Sequence, residues 1–84
     1  MSQTYVLVEV EPGAIDRVLD ELVLLPGVAE ATCVVGGFDL IIRAEVADEA
    51  LSASLRAHIA SMRGVTRALP CEVRREPVGV ASAL

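Results

Sequence analysis

Gly36, Gly37 and Asp39, inside the run Val34-Val35-Gly36-Gly37-Phe38-Asp39-Leu40-Ile41-Ile42, are the residues whose types and spacing best suit binding chemistry. Paired glycines leave backbone N–H groups uncovered and supply the positive φ angles of a tight hairpin, so the chain is expected to reverse at Gly36-Gly37. Aspartate is poor in strands and costly to bury unpaired, yet Asp39 enters an apolar run one residue past Phe38. A carboxylate beside exposed amide donors suggests a ligand site; the alternative is an Asp that hydrogen-bonds its own turn. No catalytic set accompanies it. The single histidine, His58, lies beside Leu55 and Met62 with no acid or thiol spaced to orient it, and reads as a partly exposed helix residue. Cys33 and Cys71 form neither a metal-spaced set nor a disulfide framework, and are expected to be reduced, core-packed thiols that do not pair with each other. No metal and no cofactor are implied.

Composition narrows the partners. Twelve acids against seven arginines and no lysine give a net charge of −5, which opposes the counterion release behind most nucleic-acid affinity. No apolar run approaches the roughly 18 residues of a membrane span and the first residues carry no basic segment, so a cytoplasmic protein without a signal peptide is expected. Eighty-four residues make one thin-cored domain. Yet 54 % of residues are hydrophobic while only Tyr5 and Phe38 are aromatic. More apolar surface is present than one small layer hides, which points to self-association.

The elements that must position the hairpin follow from periodicity. Tyr5 to Val10 alternates as a half-buried strand; Pro12-Gly13 breaks it, and Ile15, Val18, Leu19, Leu22 and Val23 recur at helical spacing with Asp16 in the first turn. Pro26-Gly27 ends that helix. Val28 to Val35 and Phe38 to Val46 are strands, Asp48 is an N-cap, and Leu51, Leu55, Ile59 and Met62 form the stripe of a second helix that Arg63-Gly64 closes. A fourth strand is expected over residues 65–76, with an uncharged tail over 77–84. The halves match: Glu9-Val10, Gly27-Val28 and Cys33 correspond to Glu45-Val46, Gly64-Val65 and Cys71. Two interleaved β-α-β units give an α+β, ferredoxin-like β-α-β-β-α-β sandwich, an antiparallel sheet of order 4-1-3-2 with both helices on one face. Pro70 suits an edge strand. Val6, Val8, Val10, Leu40, Ile42 and Ala44 then face the helices, leaving Tyr5, Leu7, Glu9, Ile41, Arg43 and Glu45 on the open side. That face, with Tyr5, Leu7, Ile41 and Arg43 at its centre, is expected to stack on a second sheet in a homodimer.

Tyr5–Gly13, Leu25-Pro26-Gly27-Val28, Val34–Leu40 and Gly64-Val65-Thr66-Arg67 together resemble the effector-binding RAM domain of Lrp/AsnC transcriptional regulators. The likeness covers nearly all of residues 4–75, and its best motif is the Gly-x-(Tyr/Phe)-Asp hairpin met by Gly36, Gly37, Phe38 and Asp39. Because the first strand begins within five residues of Met1, the expectation is a stand-alone module, residues 1–76, without a DNA-binding domain. The resemblance implies face-to-face dimers, higher ring-like homo-oligomers, mixing with full-length regulators, and a small effector such as an amino acid at subunit interfaces. It implies a site formed by Gly36, Gly37, Phe38 and Asp39 with the segment Thr66, Arg67 and Ala68. The glycine amides and Arg67 would hold a carboxylate, Asp39 an ammonium, and Phe38 an apolar wall. An exposed Arg67 with only weak pairing is the alternative. Ala68 and Pro70 depart from the family pattern, which usually shows hydroxyl residues there. Two other readings remain: an ACT-type regulatory domain, which pairs sheets side by side, and a small dimeric α/β-barrel enzyme.

Overall fold

A computed structural model describes residues 2–71. The elements are β1 (Ser2–Val10), α1 (Ile15–Leu22), β2 (Val28–Cys33), β3 (Leu40–Val46), α2 (Glu49–Ser61) and β4 (Val65–Cys71). They form one antiparallel sheet in the order β2-β3-β1-β4, the ferredoxin-like arrangement expected from the two β-α-β units. The tail over 77–84, the last residues of the expected fourth strand, and so the outer limit of a 1–76 domain lie outside the described residues.

Alternation along the central strands creates two different surfaces. Val6, Val8, Leu40, Ile42 and Ala44 are buried beneath the helices with Val18 and Leu22 of α1 and Leu55 and Ile59 of α2, and Val10 packs at their edge. Each fully buried aliphatic side chain contributes on the order of 1.5–3 kcal/mol. On the opposite surface the register lines up Thr32, Ile41, Leu7 and Leu69 as one row and Glu30, Arg43, Tyr5 and Cys71 as the next.

The helices differ from expectation in their outer residues. Asp48 caps α2 as predicted, its carboxylate accepting from the Leu51 N–H at 2.9 Å. Leu51, however, is exposed, and Ser52 takes the inward place above Leu55, Ile59 and Met62. Ser52 is tolerated there because its hydroxyl accepts from Arg56 at 2.6 Å. Val23 caps α1 and is exposed, so it leaves the expected stripe. Cys33 is exposed rather than core-packed, because it closes the edge strand β2, which has a neighbouring strand on one side only; Cys71 is half-buried. Both are free, as expected of residues on opposite outer strands, three strand spacings or about 14 Å apart against the roughly 7 Å limit of a disulfide.

Candidate functional site

The two strands around Gly36-Gly37 stop short of it. β2 ends at Cys33 and β3 begins at Leu40, so the connection is a wide loop rather than a two-residue hairpin. The Val34 N–H donates to the Asp39 carbonyl at 2.9 Å and closes its base. Of the two glycines only Gly36 has a positive φ, +143°.

The Asp39 side chain does not bond its own turn. Its backbone N–H donates to the Val8 carbonyl at 2.9 Å, and its Oδ2 accepts from the Val10 N–H at 2.9 Å. Val10 stands where the β1–β4 register shifts: Glu9 pairs with Arg67 and Val10 with Val65, so Thr66 is the extra residue of a bulge. On its other side β1 outruns β3, whose ladder ends at the Val8–Leu40 pair, so the Val10 N–H has no strand partner there and the carboxylate, 29 positions away, takes it. Asp39 therefore fastens the loop to β1 through its side chain and closes the loop's base through its carbonyl.

That fastening gathers most of the sequence-predicted site at one end of the sheet. Phe38 lies under the Arg67 guanidinium, whose Cζ is 4.6 Å from the ring centroid, a favourable cation–π placement. Arg67 Nε approaches Glu9 Oε1 at 3.9 Å, with the two side chains 51 % and 43 % exposed. Thr66 Oγ1 donates to the Glu9 carbonyl at 3.1 Å and reaches its carboxylate at 3.4 Å. Glu9, Phe38, Thr66 and Arg67 thus form one open cluster, with Asp39 bonded beneath it. Ala68, paired with Val8, packs on the helix side and contributes no polar atom. Gly36 and Gly37 lie exposed in the loop. Glu9 was missed as a site residue; its place opposite the residue three beyond Gly64 was the available signal.

Arg43, predicted at the open face, is held differently. Partial burial works against its charge, but hydrogen bonds and proximity to Glu30 and Glu45 outweigh this and hold its pKa above the ordinary arginine value. Tyr5, Leu7 and Ile41 are half-buried beside it.

A groove away from this open cluster was not foreseen. Leu25, Pro26, Gly27, Val46, Leu51, Ser54, Leu55 and His58 line a groove of about 430 Å³ between α2 and the α1–β2 connection. No group of three or more His, Cys, Asp and Glu residues is gathered as a metal site, and no helix is long and apolar enough to cross a membrane, among the described residues.

The Lrp/AsnC ligand-binding domain model matches residues 3–69. Among solved structures, a protein of Thermus thermophilus is 27 % identical with a TM-score of 0.79, the match covering 90 % of this chain and 96 % of that one. A hypothetical protein from Pyrococcus horikoshii is 24 % identical with a TM-score of 0.77, covering 92 % and 94 %. A transcriptional regulator from Neisseria meningitidis, solved as a complex with L-Met, is 22 % identical with a TM-score of 0.76; the match covers 90 % of this chain but 51 % of the regulator. No curated protein matches.

Proposed function

This chain belongs to the Lrp/AsnC ligand-binding domain family, and on that premise we propose that it senses a small amino-acid-like effector with the cluster at the Arg67 end of the sheet. One observation carries the reading: Arg67, half exposed, is stacked on Phe38 and only loosely paired with Glu9, so its guanidinium keeps donors for a carboxylate. Glu9, rather than the Asp39 that the sequence suggests, then accepts the ligand's ammonium group. Gly36 and Gly37 supply further amide donors, Phe38 the apolar wall, and Thr66 sets the Glu9 carboxylate. The L-Met of the Neisseria regulator supports the same class of effector. No step of this reading is catalytic.

The open face supports sheet-to-sheet homodimerisation, because Leu7, Ile41 and Leu69 form an apolar row edged by charge. Higher assembly into rings and mixing with full-length regulators of the family are the extension of that reading. Two measurements test it. A calorimetric screen of amino acids should find one that binds. Ile41→Lys, placing a charge in the row, should halve the solution mass while the circular dichroism spectrum stays native; an unchanged mass overturns the stacked-sheet dimer.

A further inference from the structure

We propose that the groove between α2 and the α1–β2 connection is a second small-molecule site, for an aliphatic compound carrying one carboxylate or carbonyl oxygen. It lies beside Gly27 and Val46, whereas the Arg67 cluster lies beside Val10 and Asp39. The first argument is chemical. Five of its lining residues, Leu25, Pro26, Val46, Leu51 and Leu55, present hydrocarbon. Among the described residues its side-chain polar groups are Ser54 and His58, four residues apart and so on one face of α2. Such a lining, apolar walls with a few convergent polar atoms and a volume within the usual range of roughly 300–1,000 Å³, is that of a ligand pocket. Both Ser54 and His58 can donate to a ligand oxygen, and among the described residues no carboxylate side chain lines the groove to repel an acid.

The second argument is that the chain keeps this space open. Leu51, 52 % exposed, stands at the wall while Ser52 fills the core position. Gly27 has φ +94°, and a Cβ there would meet Val46 Cγ1 at 2.7 Å and Leu55 Cδ2 at 3.3 Å, both groove walls. A side chain at this position would thus press on two of the groove's walls.

Octanoate is the probe, titrated into the full chain with amide shifts followed by NMR, and octylamine is the comparison. Saturable shifts at Gly27, Leu51, Ser54 and His58, weaker or absent with octylamine, are expected. Leu51→Asp, a change at an exposed position, should weaken octanoate roughly tenfold or more while the fold persists. The joint Ser54→Ala, His58→Ala variant should lose the preference for octanoate over octylamine. Shifts absent at millimolar octanoate, or mapping to the open sheet face, overturn the proposal. Shifts confined to residues 36–39 and 66–67 also overturn it while leaving the effector cluster intact. Groove amides that instead move with protein concentration, or on Val80→Asp alone, assign the groove to a second copy or to the chain's own end, and again overturn it.

Discussion

The two halves of this molecule repeat the same corner and charge it oppositely. Gly27 and Gly64, with φ +94° and +96°, each follow a helix and each accept a 2.8 Å backbone hydrogen bond, from Glu45 and Glu11 respectively. Beyond each the register slips past one residue, Ala29 in β2 and Thr66 in β4. Three positions after each glycine comes a charge on the open face, opposite its complement: Glu30 faces Arg43, and Arg67 faces Glu9. The outcomes differ. Arg43 is enclosed by two carboxylates and is 28 % exposed, whereas Arg67 has one distant carboxylate, an aromatic ring, and 51 % exposure. Repetition built the scaffold twice; the cation with unspent donors is found at only one end.

The glycine corners should give the largest effects. Gly27→Ala and Gly64→Ala each force an L side chain to a positive φ, at about 1–2 kcal/mol, and add a methyl that crowds Val46 in one case and Ala14 and Val18 in the other, at about 1–3 kcal/mol. Urea unfolding should show both variants losing stability to a similar extent. A tolerated substitution at either corner breaks the equivalence.

Asp39→Ala comes next. It strips the Val10 amide of a charge-assisted bond, so a loss of about 1.5–3 kcal/mol is expected in denaturant unfolding. Arg43 fastens no loop to a strand, so Arg43→Ala, which removes ion pairs to the more exposed Glu30 and Glu45, should cost no more than about 1 kcal/mol in the same assay. A larger loss at Arg43 than at Asp39 would reverse the order of the two ends.

Much of this was legible in the chain, and the illegible parts share a cause. Period-two alternation assigned Val6, Val8, Leu40 and Ile42 to the covered face because a strand offers only two sides, and the strand order followed from two matched β-α-β halves with right-handed crossovers. The partner of Asp39 escaped because the Val10 amide is left free where β3 stops at Leu40, opposite Val8, and no local spacing announces that end. Leu51 read as core because it continues a helical stripe; the contest with Ser52 is decided by the Arg56 hydrogen bond and the rotation of α2, so the groove it walls was invisible. Cys33 was misplaced because it closes an edge strand, which has a neighbouring strand on one side only. The Arg67 cluster was half visible: Phe38, Thr66 and Arg67 carried the family resemblance, whereas Glu9 required the register.

The central claim is that the effector sits on the loosely held cation, and calorimetric titration of amino acids into the wild type, Arg67→Ala and Arg43→Ala tests it most directly. The amino acid that binds the wild type should bind Arg67→Ala about ten- to a hundredfold more weakly, as expected for loss of a charge-assisted contact worth about 1.5–3 kcal/mol, and Arg43→Ala unchanged. Equal affinity in the Arg67 variant, a loss that follows Arg43 instead, or no binding by any amino acid would contradict it.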